Sequence, residues 1–443
     1  MNPKRHSYDL DSYIASVGKV GRLQTLQVMP VIAGDSMQID FIGALRMSPL
    51  RRVVSMDAQL KLFAFYIPHR HIYTNWIDWL KAGYDGGVSL AQTANPEASG
   101  NGLGYLPASK RPIITNYLCN GYNQIWNEYF RIPAQTDNPG EVPSDLDGVL
   151  TGAEARQYGA RIARLPNIFS TGATNIPTTQ NIDTTGDVLS LMDLAEGKAK
   201  YTSSIDRDYF AERYRDLIDK VFSGGMVNTD ADQRPTLLGT ESKWVSGYDV
   251  DGTADQNLGE YTGKSQCMVQ MNLPTRFFQE HGAVWIMAAL RYPPILAQEA
   301  HMLTDPTHFS DYTLSSGDPA TQDAKASIEL KLGDVTDIGS VPGNTTIGYH
   351  PNYQYLRQQP NNIHPKFLDT DSQGDTLGYP FTDANNFTSG SELKECSYDA
   401  YHTPAMFSSQ ELADWNMVGK VNVHAKRIIK PSVPQVYAIS KNS

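Results

Sequence analysis

Cysteine is scarce in this chain: Cys119, Cys267 and Cys396 are the only three in 443 residues. Their wide separation fits neither a disulfide framework nor a zinc spacing and points to a reducing compartment. Long apolar runs are missing as well. The longest, Ala283 to Leu290, falls far short of the ~20 residues a membrane helix needs, so a soluble protein is expected. MNPKRHSYDLDSYI has no apolar core behind its charged start, and no signal peptide is expected. There is no G-x-S-x-G, no G-x-G-x-x-G and no Walker loop, so the common hydrolase, dinucleotide and phosphate-cradling signatures are absent. No internal repeat and no low-complexity tract interrupts the chain.

What the chain has instead is aromatic and turn-forming. Its 24 Tyr, 35 Gly and 26 Pro, beside only 19% charged residues, suit a loop-rich, strand-based and well-packed protein. The net charge of −11 is unevenly spread. Through Lys81 ten Lys/Arg face six Asp/Glu, a balance of +4, and the remainder carries −15. The tail from Lys420 onward holds five Lys/Arg and no acid. A basic start and end around an acidic middle suggests one face toward an anion and another toward solvent.

The organising stretch is 30–71. Met37, Ile39 and Phe41 alternate with Ser36, Gln38 and Asp40, the period of a strand with one buried and one wet face. Gly43 and Ser48-Pro49 read as its break, which predicts a loop carrying Arg46, Arg51 and Arg52. A second alternation runs through Val54, Met56, Ala58, Leu60 and Leu62. From Phe63 to Ile67 the polar half vanishes, as expected where both faces are covered, and Pro68 ends it. Further strands are expected at Leu23 to Val28, Ser265 to Asn272, Ala283 to Tyr292 and Met417 to Ile429, with one near Ile328 to Leu332. The first twenty residues read as a polar arm. Helices are expected at 74–83, 115–130 and 206–225, the last stopped by Gly224-Gly225. Residues 134–204 and 297–395 read as long polar, Gly/Pro-rich insertions.

Three constellations are candidates for chemistry. His69 and His71, two apart at a strand end, have the spacing to share a metal, but no third ligand is identifiable and a hydrogen-bonded pair is the plainer reading. In DVDGTADQNLGE (249–260), Asp249, Asp251 and Asp255 sit at positions 1, 3 and 7 of a calcium-loop frame. Gly252 is misplaced in that frame and no helix precedes it, so an ordinary surface turn is the plainer reading. Arg46, Arg51 and Arg52 suit nucleic-acid phosphates or carboxylates across a subunit contact equally well. Lys426 and Arg427, with Lys430, form a second, weaker basic patch on the wet face of the last strand. No cofactor is expected.

The motifs VIAGDS, GALRMSPLRR and FAFYIPHRH, followed in order by GYNQIWNEYFR (121–131), RDYFAERY (207–214), SGYDVDGT (246–253), PTRFFQEHG (274–282), ALRYPP (289–294) and the QEL…WN segment (410–423), are collinear over most of the chain. On these the chain resembles the major capsid proteins of the small icosahedral single-stranded DNA bacteriophages (Microviridae, phiX type). The resemblance implies a mainly β fold, an eight-stranded antiparallel jelly-roll barrel with long loop and helix insertions. It implies one capsid domain over 1–443, with barrel strands mainly within 20–72, 263–295 and 415–430 and insertions at about 73–262 and 296–410. It also implies pentamers closing into an icosahedral shell around a circular single-stranded DNA genome, in a virion assembled in the host cytoplasm. The implied partners are a spike protein, scaffolding proteins, a pilot protein and a small basic DNA-packaging protein, with host lipopolysaccharide as a candidate ligand. The alternative is an enzyme or carbohydrate-binding module on a jelly-roll scaffold.

Overall fold

Alternation of apolar and polar residues builds most of what the computed structural model describes, which is residues 4–50, 57–73, 76–82, 92–94, 110–130, 234–250, 261–291, 327–331, 346–351 and 413–429. The strands are β1 (His6–Asp9), β2 (Ser12–Gly18), β3 (Gln24–Val31), β4 (Ser36–Met47), β5 (Ala58–Pro68), β6 (Gln92–Ala94) and β7 (Ile113–Thr115). They continue with β8 (Thr236–Val250), β9 (Tyr261–Phe277), β10 (Gly282–Arg291), β11 (Ser327–Lys331), β12 (Thr346–Pro351) and β13 (Trp415–Arg427). The helices are α1 (Trp76–Ala82) and α2 (Tyr117–Ile125), the latter running into a π-helical turn, Trp126–Phe130.

One curled antiparallel sheet has the order β1-β13-β4-β9-β8-β5-β10-β3, and β2 shares the β1 position against β13. With β1 and β2 taken as the first of eight strand positions, the order across the sheet becomes 1-8-3-6-5-4-7-2. That is a long hairpin, pairing 4 with 5, 3 with 6, 2 with 7 and 1 with 8, rolled up on itself. It is the jelly roll. The registers show the nesting: Tyr66 opposes Thr236, Ser36 opposes Phe277, Val31 opposes Gly282 and Gly18 opposes Trp415.

The inward faces close over one core. Phe41, Leu45, Leu60, Leu62, Val284, Ile286, Trp415, Met417 and Val421 belong to it and are fully buried or nearly so. Each such side chain contributes about 1.5–3 kcal/mol by leaving water.

The outer faces of the two halves differ. β10, GAVWIMAALR, is buried on both faces up to its last residue, and so is the end of β5. The reason is α2, which lies across them: Gly121 sits so close to the Trp285 indole that a Cβ would come within 2.7 Å of it. The Tyr122 hydroxyl donates to Leu23 O at 2.8 Å, Asn120 Nδ2 to Ile72 O at 3.0 Å, and Phe130 meets Phe63 edge-on. No described element covers the outer face of β2, β13, β4 and β9.

Three expectations need correction. Gly43 does not end a strand: β4 continues to Met47, because Gly43 and Gly419 oppose each other and leave room for the Phe41 ring against them. Arg46 is therefore a strand residue and not a loop residue. The first twenty residues are not a polar arm, since β1 and β2 occupy a full sheet position. β8, inside the span read as an insertion, is a barrel strand of 15 residues. Among its described side chains Val245 is the one fully buried apolar residue, so the strand rests on its backbone ladder with β5 and carries little pattern. His69 and His71 sit, as expected, at a strand end, in a 3-10 turn directly after β5. The expected helix at 206–225 lies outside the described residues. Cys119 and Cys267 are free thiols.

Candidate nucleic-acid interface

The bare face is built by strand parity. On β13 the odd residues Trp415, Met417, Val421 and Val423 point into the core, so Asn416, Val418, Lys420, Asn422, His424 and Lys426 point out. Register then sets neighbours side by side across four strands. Val17, Asn416, Arg46 and Gln266 form one row. Ala15, Val418, Ala44 and Met268 form the next, and Tyr13, Lys420, Ile42 and Gln270 the third. Rows on one face lie ~6.6 Å apart and strands ~4.8 Å apart.

The middle row is apolar yet wet. Met268 is 75% exposed and Val418 60%, and in the rows on either side Val17 is 60% and Tyr13 83% exposed. The row sets the small side chains of Ala15 and Ala44 beside the exposed Val418 and Met268.

Charge on this face is mostly matched. Lys420 Nζ donates to Asp11 Oδ2 at 2.8 Å. That hydrogen bond holds the Asp11 carboxyl below its ordinary range and the Lys420 ammonium above its own. His424 Nδ1 lies 2.8 Å from Asp9 Oδ1. Arg46 and Lys426 are exposed and, among the described residues, have no carboxylate partner. At the far end of the face, Arg5 stacks over Phe277, 4.8 Å from the ring centroid.

The sequence candidates separate accordingly. Arg46 and Lys426 lie on this face about ten residues apart along β13, ~33 Å. Arg427 does not join them: its guanidinium lies 3.0 Å from Asp35, which is fully buried, and Nη2 donates to Pro30 O at 2.7 Å. Arg51 and Arg52 lie outside the described residues. So do Asp251 and Asp255, while Asp249 falls near the end of β8.

His69 and His71 head in a different direction. His69 packs between Trp76, at 4.7 Å, and Tyr117, at 5.2 Å. Burial, and secondarily the neighbouring His281, pushes its pKa down to about 4. A histidine kept neutral by aromatic packing is a joint between barrel and helices; among the described residues no group of three metal-ligating side chains forms. The residues that sequence reasoning missed are Tyr13, Val17, Val418 and Met268. For Tyr13 and Val17 the signal was apolar character on both phases of SYIASVG, where one phase must face outward.

The chain matches the model of a family described as Capsid protein (F protein), over residues 2–188 and 176–435. It is 33% identical to Capsid protein F of Escherichia phage G4 over 96% of this chain and 95% of that protein. It is 35% identical to Capsid protein F of Enterobacteria phage phiK, over 96% of each. Capsid protein F of Escherichia phage alpha3 is 33% identical over 96% of this chain and 95% of that protein.

Proposed function

The chain belongs to the bacteriophage capsid protein (F protein) family, and from that premise we propose that its copies associate as pentamers and close into an icosahedral shell around circular single-stranded DNA. It is a structural capsid protein of that family. The observation that carries the reading is the jelly-roll strand order on a chain related to capsid proteins over nearly its whole length.

The finer statements follow from chemistry. The role is structural rather than catalytic, in a virion assembled in the host cytoplasm. A shell carrying −11 per copy cannot neutralise an enclosed genome, so cations or a small basic DNA-packaging protein must contribute. Spike, scaffolding and pilot proteins complete the partner set, with host lipopolysaccharide as the surface ligand. Arg46 and Lys426, exposed on the bare face, are the proposed phosphate contacts, and Arg51 and Arg52 join them as candidates on sequence charge alone.

Sedimentation and electron microscopy of the expressed protein with its assembly partners test the reading. Shells or pentameric intermediates are expected, and a small oligomer with no larger species would overturn it. Arg46→Gln should leave particle yield unchanged and lower DNA retention as salt is raised. Loss of yield with normal DNA per particle would instead assign Arg46 to a subunit contact.

A further inference from the structure

The curled sheet ends in two edges, and they are treated differently. At one end β3 carries Pro30, which has no N–H to offer a further strand. The backbone there is also engaged by side chains: Leu23 O takes the Tyr122 hydroxyl and Pro30 O takes Arg427 Nη2. At the other end, HSYDLDSYIASVG (6–18) holds no proline, lysine or arginine. β2 spends one side on β13, from Gly18 opposite Trp415 to Ser12 opposite Val421. No described strand takes its other side. An edge without such guards is a template for pairing with another chain.

We propose that β2 pairs antiparallel with β2 of a second copy, about a two-fold axis at Ala15. The strand is self-complementary in that register. Residues equally far either side of Ala15 face each other, so Tyr13 meets Val17 of the partner subunit, an aromatic beside a β-branched side chain. Both are largely exposed in the single chain. Asp11 meets Lys19 of the partner subunit, and Lys19 is exposed with no carboxylate partner among the described residues. Other axes lose this match. At Tyr13 or Ile14 they set Asp11 against Ala15 or Val17, and at Ser16 or Val17 they carry it to Gly21 or beyond. Alanine against alanine at the axis lets the strands approach. The row of Met268, Ala44, Val418 and Ala15 then runs on across the axis into the same row of the next copy.

The inference rests on the shell reading, which supplies the second copy, and it assigns a step within it. A two-fold cannot operate inside a five-membered ring, so this contact joins one pentamer to the next. One short strand pair is far smaller than the ~1,200 Å² of a stable interface. It therefore forms where other contacts already hold the copies, and not as a free dimer.

Thiol cross-linking tests the contact. Directly opposed residues of antiparallel strands have Cβ atoms ~4.5–5.5 Å apart, near disulfide range. Ala15→Cys shells treated with a mild oxidant should give a linked dimer on a non-reducing gel, which free pentamers and shells of the natural chain do not. No dimer from closed shells would overturn the proposal, as would an equal dimer yield from free pentamers. A lysine-directed cross-link from Lys19 to a different protein would give the edge to that partner instead. A charge pair tests the register. Tyr13→Lys and Val17→Asp should each lower closed-shell yield severalfold at unchanged pentamer yield, and the two together should restore it. Within one chain these positions lie four residues apart along a strand, ~13 Å, too far to pair with each other. Full yield from both single variants, or no recovery in the double, would overturn the register. Should a charged variant not reach the pentamer, the Ala15→Cys result decides. Absence of shells from the natural chain would sink the capsid reading itself, an outcome distinct from closed shells without the linked dimer.

Discussion

Single positions explain where this chain can and cannot change. Gly43 and Gly419 face each other across β4 and β13, and a Cβ on Gly43 would stand 2.7 Å from the tip of the Phe41 ring. Phe41 is fully enclosed, so the ring has nowhere to retreat. Gly43→Ala should therefore cost about 1–3 kcal/mol, as overpacking does. A lowered denaturant midpoint with unchanged slope checks it, and adding Phe41→Leu should recover part of the loss. His69 gives a second prediction. In an unfolded chain it titrates near the ordinary histidine value of 6.5, and in the fold burial brings it to about 4. Above pH ~6.5 it is neutral in both states and its environment costs nothing. Between 6.5 and 4 only the unfolded chain takes the proton, so stability falls as pH falls, by about 2 kcal/mol at pH 5. His69→Phe should flatten the change in unfolding midpoint between pH 7 and pH 5.

At the level of elements, α2 acts as a roof over β10, and Gly121 sets how closely it lies. Gly121→Val should lift the helix from Trp285, red-shift that indole's emission and cost several kcal/mol, with β13 and its neighbours still protected in hydrogen exchange. Such a variant isolates the covered half of the barrel from the bare half. Elements also show what could be read from sequence. β4, β5, β10 and β13 were legible because one face of each is continuously apolar or, in β10, both are. β1 and β2 were not: the inward positions of β2 are Ser12, Ile14, Ser16 and Gly18, while Tyr13 and Val17 point out, so the pattern argues for no clear face. β8 was hidden for a similar reason, having polar residues on both sides and its hydrogen bonds supplied by β5. The basic segment around Arg46 was visible as charge. That Arg46 belongs to a strand face depends on Gly43 packing under Phe41, a tertiary fact with no local signature. The commitment of Arg427 to buried Asp35 likewise joins residues nearly 400 positions apart. Asp35→Asn should therefore destabilise the end of β13 while Lys426→Gln, on the open face, should not; thermal unfolding of the two variants separates these roles.

For the whole molecule, the pairing of the first strand position with the last has a consequence for how the protein is made. β2 has no partner until β13 exists, and Trp415 lies almost 400 residues after Gly18. At ~5–20 residues per second of synthesis, the amino-terminal strands wait roughly 20–80 s on the ribosome before their neighbour emerges. During that wait Ile14, Met37, Phe41 and Leu45 have no finished core to enter, and closing so distant a contact is slow even for a complete chain. The nested hairpin can close in full only from its middle outward, β5 with β8 first and β2 with β13 last. A nascent chain stalled before residue 415 should therefore carry a β5–β8–β10 half that resists protease and an amino-terminal segment that is cut. The last of the described strands to be translated is the one that shuts the barrel, so the step from strand-bearing chain to assembly-competent subunit waits for residues 415–427 to be made.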